Sequence, residues 1–190
     1  ALGNQLFARQ STADHYTIPL SDPGRPMFLR ASLMSGSIFV KGYGGKEVIV
    51  DVDIVQSKEE YHYSDDDGVD KKKGLRRIPN TSSGLSIEEE NNTVMITKSG
   101  YGSSELRVTV QVPVNCSMKL SVINGGDIEV EGVTGDLDVN NTNNSVKLLK
   151  ISGSVVAHAL NGNLVVTMTK VSPDKAMSFS SLNGEVDITL

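Results

Sequence analysis

Apolar and polar residues alternate along most of this 190-residue chain in short runs, and a glycine or an asparagine closes almost every run. The pattern is most regular from Ser117 to Leu190, where most nine-residue units carry apolar residues at positions 2 and 4. Residues two apart in a strand face the same side, so this pair predicts a strand whose positions 3 and 5 face solvent. The inward pairs of this stretch are Met118 and Leu120, Ile128 and Val130, Leu137 and Val139, Val146 and Leu148, Val155 and Ala157, Leu164 and Val166, Met177 and Phe179, and Val186 and Ile188.

The same nine-residue phase begins much earlier in the chain, at 28–36 and 37–45, and continues one residue out of phase at 47–55. Residues 56–84 interrupt it with a densely charged stretch that we interpret as a loop excursion. We therefore predict an N-terminal tail at 1–15 and a single all-β domain at 16–190.

Two further marks in each unit concern the corner that follows the strand. An apolar residue recurs at position 7, at Ile123, Val133, Ile151, Leu160 and Leu182. Glycines close many units and predict tight corners with positive φ, at Gly36, Gly125, Gly135, Gly153, Gly162 and Gly184. A corner with its own inward residue favours a single-stranded, right-handed parallel β-helix, or β-solenoid, with three nine-residue faces and about 27 residues in each coil. A β-sandwich or irregular β-roll is the alternative.

Composition narrows the possible functions. The net charge is −5, from 18 basic and 23 acidic residues, so the basic field needed to bind nucleic acid is absent. The single cysteine, Cys116, cannot form an intramolecular disulfide. No apolar stretch approaches the roughly 18 residues of a membrane-spanning helix, so we predict that the chain does not span a membrane.

Four segments resemble a known family: YTIPLSDPGRP (16–26), SGSIFVKGYGGKEVIV (35–50), KGLRRIPNTSSGLSIEEENNTVMI (73–96) and LNGEVDITL (182–190). Together they are similar to the bacterial, Bacteroidetes-type family of β-strand-repeat proteins known as putative adhesins of unknown function. The resemblance implies a β-solenoid, export to the periplasm or cell surface with the signal peptide removed, and a last coil that is truncated or frayed at Leu190. Its motifs are structural, so it implies no functional residues.

The outward positions offer the candidate chemistry. If three faces stack, one face carries Glu129 and Glu131 beside His158 and Asp187, and we predict a binding surface there. The acidic loop at Asp65, Asp67 and Asp70 resembles a calcium loop, but it lacks the downstream bidentate glutamate, so a solvated loop is favoured. No cofactor and no catalytic residue is predicted.

These features favour a non-enzymatic, adhesin-like protein of the cell envelope that binds a glycan or another envelope protein through its outer faces. Two alternatives remain open. One is a carbohydrate-active enzyme that uses Glu129, Glu131 or Asp187 as acids. The other is a self-assembling scaffold whose ends stack by strand addition.

Overall fold

A computed structural model describes residues 14–56, 76–78, 83–98 and 105–190 of the chain. These residues form fourteen β-strands: β1 (Asp14–Pro19), β2 (Met27–Tyr43), β3 (Glu47–Gln56), β4 (Arg76–Ile78), β5 (Leu85–Glu90), β6 (Thr93–Lys98), β7 (Glu105–Pro113), β8 (Cys116–Asn124), β9 (Ile128–Glu131), β10 (Thr134–Asn141), β11 (Val146–Ala159), β12 (Leu164–Val171), β13 (Ser178–Ser181) and β14 (Val186–Thr189). The described residues include no helix that is long and apolar enough to cross a membrane.

Five strands close a ring of parallel pairings, in the order β2, β8, β10, β11, β9 and back to β2. The ring closes because β2 is long and turns at Gly36, where φ is +129°. Its first half pairs with β8 and its second half with β9. In the same way β11 pairs with β9 through 146–149 and with β10 through 152–159. The fold is a closed, parallel, five-stranded barrel to which further strands are added.

The added strands extend the barrel into two walls, and each wall contains eight strands of the described residues. The first wall consists of β4, β5, β6, the first half of β2, β8, β10, the second half of β11, and β13. The second wall consists of β1, β3, β7, the second half of β2, β9, the first half of β11, β12 and β14. Most pairings are parallel, and the antiparallel ones lie among β1, β3 and β7 and among β4, β5 and β6.

The predicted inward pairs line the space between the two walls. Leu29, Met118, Leu137 and Val155 lie in one row across the first wall, and each is at most 2% exposed. Ile38, Ile128, Val146 and Leu164 lie in a row across the second wall, and each is 0% exposed. A fully buried side chain of this kind contributes about 1.5–3 kcal/mol to folding. The alternation therefore identified the core correctly, from Leu29 through Val166.

The predicted single-stranded parallel β-helix, or β-solenoid, is wrong. Parallel pairing closes five strands into a barrel, and from β8 to β14 the strands that are neighbours within a wall lie 18, 19 or 22 residues apart instead of 27. The chain thus returns to the same wall after two nine-residue units, not three. The repeat specifies the length of one strand and one corner, but it does not specify how many units pass before the chain returns.

The corners also differ from the prediction. Val133 and Ile151 point inward as expected, with exposures of 1% and 0%, whereas Ile123, Leu160 and Leu182 are exposed. Positive φ is observed at Gly36, Gly125 and Gly153. Gly135, Gly162 and Gly184 lack it and are needed for space, because a Cβ there would lie 2.2–2.4 Å from backbone atoms of the neighbouring nine-residue unit in the same wall.

Candidate functional site

The structure does not bring the four predicted binding residues together. Glu129 and Glu131 lie on β9 and Asp187 on β14, all in the second wall, whereas His158 lies on β11 in the first wall. The pairing order between Glu129 and Asp187 passes through Lys147 and Val165. Three strand steps correspond to about 14 Å between the backbones of Glu129 and Asp187. The predicted face that combined all four residues is therefore wrong.

The outward acids of β9 are paired with lysines of β11. Lys147 Nζ lies 3.9 Å from Glu129 Oε2, and Lys150 Nζ donates to Glu131 Oε1 at 2.7 Å. The hydrogen bond from Lys150, followed by its positive charge, lowers the pKa of Glu131. We call Glu129, Glu131, Lys147 and Lys150 the charged row. A glycoside hydrolase pairs a general acid of raised pKa with a second, ionised carboxylate, so the lowered pKa of Glu131 fits the second role and not the first.

The first wall carries a different surface, built around His158. Its register aligns Asn140 of β10, His158 of β11 and Ser180 of β13 side by side on the outer face. His158 Nδ1 and Ser180 Oγ are 2.5 Å apart, and Asn140 Nδ2 donates to Asp138 Oδ1 at 2.9 Å. Amide, imidazole and hydroxyl groups thus follow one another at the strand spacing of about 4.8 Å.

An apolar column runs beside this polar row, two residues further along each strand. It contains Leu160, which is 43% exposed, and Leu182, which is 72% exposed, with Thr142 at the equivalent place. The row and the column enclose a depression of about 410 Å³. We call it the groove; its lining residues are Asn140, Asn141, Thr142, His158, Ala159, Leu160, Ser180, Ser181 and Leu182.

A buried polar atom belongs to one of the residues that line the groove. Asn141 is 3% exposed, and its Nδ2 donates to the carbonyl oxygens of Gly126 and Ser145, each at 3.1 Å. Its Oδ1 is buried and has no hydrogen-bond partner among the described residues. An unmade hydrogen bond at a buried acceptor costs about 1–3 kcal/mol. Asn141 points inward, on the same side of β10 as Val139, so this cost falls on the fold and the oxygen does not face the groove.

The asparagines after this column form a ladder at the same corner. Asn143 Nδ2 donates to Asn124 Oδ1, Asn161 to Asn143, and Asn183 to Asn161, at distances of 2.9, 3.1 and 2.8 Å. The ladder fixes the register of the strands that carry the groove. Sequence reasoning missed the groove, although these asparagines recur 18–22 residues apart and could have indicated which units are neighbours.

A second cluster of polar groups lies around Glu89, and its members form hydrogen bonds with each other. Glu89 is 2% exposed and accepts hydrogen bonds from the backbone and hydroxyl of Ser21 and from the backbone of Asn92. These contacts join the 21–26 turn to the β5–β6 hairpin, whose Asn91 and Asn92 have positive φ. Since the turn and the hairpin supply each other's hydrogen-bond partners, we assign the cluster a structural role.

Metal binding receives no support from the described residues, in which no group of three or more His, Cys, Asp or Glu could hold an ion. The weak calcium candidate at Asp65, Asp67 and Asp70 lies outside these residues.

Comparison with known proteins yields structural neighbours alone. No family model matches the sequence, and no curated protein does. The structure is similar to that of a putative cell adhesion protein from Clostridium sporogenes, with a TM-score of 0.56 and 8% identity, over 93% of this chain and 99% of that chain. A putative adhesin from Bacteroides fragilis matches 93% of this chain and 96% of that chain, with a TM-score of 0.33 and 9% identity. The resemblance to putative adhesins is confirmed by the first of these, and at 8% identity what is shared is the fold.

Proposed function

We propose that this chain is a non-catalytic adhesion module of the bacterial periplasm or cell surface that binds an uncharged glycan in the groove. The observation that carries the proposal is the pairing of a polar row with an apolar column along the same strands. A sugar ring offers hydroxyl groups around its edge and C–H groups on its faces, so it is complementary to such a lining.

The charge of the groove favours an uncharged ligand. Its lining contains amides, hydroxyls and aliphatic side chains together with the imidazole of His158, and among the described residues it contains no Asp, Glu, Lys or Arg. A groove built to hold an acidic glycan would offer arginine or lysine. The formal charges of the neighbouring outward positions are engaged with each other, as in the pair of Lys119 and Asp138 at 2.9 Å.

The spacing of the groove favours a chain of sugars over a single one. Polar side chains recur at the strand spacing of about 4.8 Å, which is close to the size of one sugar unit. A glycan laid across the strands would meet one polar side chain for each unit, with Leu160 and Leu182 beneath its apolar faces. Affinity would then grow with the number of sugars bound.

The test is a glycan array probed with the purified chain, followed by titration calorimetry of the glycans that bind. We expect His158→Ala to weaken binding about tenfold, which corresponds to about 1.4 kcal/mol. Val156→Ala is the matched control, because Val156 faces outward on the same strand but does not line the groove. Absence of binding by any uncharged glycan, or an equal loss in the two variants, would overturn the proposal.

A catalytic role would appear in the same assays. If incubation with a bound glycan released shorter products, and Glu129→Gln or Asp187→Asn abolished that release, the chain would be a carbohydrate-active enzyme. We expect no products, because Glu129 and Asp187 are three strand steps apart and lie outside the groove.

A further inference from the structure

A pocket that shares no lining residue with the groove lies at the other corner of the barrel, where the chain crosses from the second wall to the first. Three segments enclose it, 23–26, 43–46 and 113–115. Two of them belong to such crossings, because 113–115 joins β7 to β8 and 23–26 leads from β1 into β2. The volume of about 280 Å³ suits one ring-sized group. We call this site the corner pocket.

The corner pocket combines ring surfaces with positive charge. Its cations are Arg25 and Lys46, both of which are exposed, and its described lining contains no Asp or Glu. Val114, which is 41% exposed, adds an aliphatic surface. The ring surfaces come from Pro23, Pro26, Pro113 and Tyr43.

The two cations form no ion pair within the part of the chain that the structure describes. Asp22 and Glu47 are close to them in sequence, yet neither acid pairs with them. Lysines on the outer faces behave differently, as Lys119 shows by its pairing with Asp138. Because Arg25 and Lys46 have no acid beside them, they retain the capacity to bind an anion from outside the protein.

The turn that carries Arg25 is held in place by the cluster around Glu89. The backbone N–H of Arg25 donates to the carbonyl oxygen of Asp22 at 3.1 Å, which closes the turn. Asn92 Oδ1 accepts from the backbone N–H of Asp22 at 2.6 Å, and Glu89 accepts from the backbone N–H of Ser21 at 3.0 Å. The backbone of Arg25 is therefore already ordered before a ligand binds, which lowers the entropic cost of binding.

The opposite side of the corner pocket is equally fixed. The Tyr43 hydroxyl donates to the carbonyl oxygen of Glu47 at 2.7 Å, and the ring lies against Gly45, where a Cβ would lie only 2.1 Å from Cε2 of the ring. The carbonyl oxygen of Val114 accepts from the backbone N–H groups of Cys116 and Thr134, at 3.0 and 2.8 Å. Tyr43 thus presents a ring whose orientation is set by the fold.

These features match a sugar ring that carries a carboxylate. A guanidinium binds a carboxylate through two parallel hydrogen bonds, and the C–H face of a sugar can pack against tyrosine and proline rings. A peptide strand fits less well, because it needs free backbone partners. The carbonyl oxygens of Val114 and Asn115 already accept backbone N–H groups, and proline has no N–H to donate.

We propose that the corner pocket is a second binding site, which takes a uronic acid residue of an acidic glycan. Arg25 and Lys46 bind the carboxylate, and Tyr43 packs against the ring. The proposal does not depend on the groove, which has its own lining and an uncharged ligand. Either site can therefore fail its test without affecting the other.

The first test compares methyl glucuronide with methyl glucoside, in which a hydroxymethyl group replaces the carboxylate. NMR titration of the full chain should show that the glucuronide binds at least about tenfold more tightly, since hydrogen bonds to charged groups are the stronger ones. The backbone amides of Arg25, Gly45 and Asn115 should shift. Equal affinities, or shifts that leave these amides unchanged, would overturn the proposal.

The second test removes the guanidinium. Arg25→Gln should weaken glucuronide binding about tenfold and leave glucoside binding unchanged. Arg30→Gln is the matched control, because Arg30 is also exposed and forms no ion pair with a described residue, but it does not line the corner pocket. Equal losses in the two variants would show a general attraction between charges and would overturn the assigned site.

The third test displaces the tyrosine ring without changing charge. Gly45→Ala places a Cβ where the Tyr43 ring lies, so it should weaken glucuronide binding, and thermal unfolding of the variant confirms that the barrel is formed. Unchanged binding in a folded Gly45→Ala variant that displaces the ring would contradict the role of Tyr43.

Other sources of negative charge are distinguished by two further probes, inorganic phosphate and a short polyglutamate peptide. Each should bind more weakly than methyl glucuronide, because neither presents a sugar ring to Tyr43. Tighter binding of the peptide would assign the corner pocket to an acidic protein partner, and tighter binding of phosphate would assign it to a free anion. Either result would overturn the proposal.

Discussion

The charged row and the groove are carried by the same long strand, yet their outward side chains differ in what remains available to a ligand. The first half of β11 supplies Lys147 and Lys150 to the second wall, and each lies near an acid of β9. The second half of β11 supplies His158 to the first wall, where its neighbours are Asn140 and Ser180. One surface is occupied by internal ion pairs and the other is uncharged.

This difference shows why formal charge is a poor indicator of function on a regular sheet. Opposite charges at facing positions across strands pair with each other, and exposed pairs of this kind contribute little to stability or binding. Neutral polar groups beside apolar ones retain hydrogen-bonding capacity and contact area. The largest changes in behaviour should therefore come from the shared corners and from the groove, and the smallest from the charged row.

Substitution of a glycine at a corner between the two walls should have the largest effect on stability, because both walls depend on that corner. A Cβ at Gly162 would lie 2.4 Å from the carbonyl carbon and oxygen of Asn144, so Gly162→Ala should lower the free energy of unfolding by about 1–3 kcal/mol. Gly44 has no atom within 4 Å of its Cβ position, so Gly44→Ala is the control and should change stability by less than about 0.5 kcal/mol. Urea unfolding measures both, and equal losses would contradict the close approach.

The apolar side of the groove can be tested without disturbing the core. Leu160→Asp should weaken glycan binding about tenfold, or about 1.4 kcal/mol, because a charge replaces an aliphatic surface in contact with the ligand. Ile123→Asp is the control, since Ile123 occupies the same column at 40% exposure but does not line the groove. Calorimetric titration that gave equal losses for both would show that the column binds as a whole and that the groove is not the site.

The elements of the fold were predictable where the signal is local. The alternation located inward pairs such as Ile128 and Val130, both 0% exposed, because the side of a strand to which a residue points depends on its immediate neighbours. The number of units after which the chain returns to the same wall was not predictable from the nine-residue unit. Whether Ser145 lies beside Ser117 or beside Asp127 in a wall depends on how many nine-residue units the chain uses before it returns to that wall. The 18-residue spacing of Asn143 and Asn161 was the available clue.

The binding face predicted from the sequence was wrong for the same reason. Which side chains share a surface depends on which strands are neighbours, so the wrong turn length placed His158 beside Asp187 instead of Ser180. The inward direction assigned to position 7 was a second error in the first wall, at Ile123, Leu160 and Leu182, although it was correct at Val133 and Ile151. The two-residue alternation continues past position 4, so Asn141 and Ala159 take the inward place and the residue that follows each, such as Leu160, points outward.

The asparagine ladder should have a moderate effect on stability. Asn161 donates to Asn143 and accepts from Asn183, so Asn161→Ala removes two side-chain hydrogen bonds. A net contribution of about 0.5–1.5 kcal/mol for each bond, reduced by solvent exposure, gives an expected loss of about 1 kcal/mol. Asn183→Ala removes one bond and should cost about half as much. Urea unfolding compares the two, and an equal or smaller loss for Asn161→Ala would show that the ladder bonds are not additive.

Substitutions in the charged row should change stability least. The pKa of Glu131 therefore reports them better than the free energy of unfolding does. The pKa of Glu131 is lowered from 4.5 by Lys150, so its carboxylate stabilises the fold above pH 4.5, and that contribution is lost as the pH falls through the lowered pKa. Lys150→Ala should raise the titration midpoint of Glu131 in a carbon-13 NMR experiment, while glycan binding stays unchanged. Lys147→Ala is the control and should raise it less, because Lys147 acts on Glu131 through charge alone. If Lys150→Ala weakened glycan binding as much as His158→Ala, the two walls would not be functionally distinct, and the ligand would contact the second wall as well.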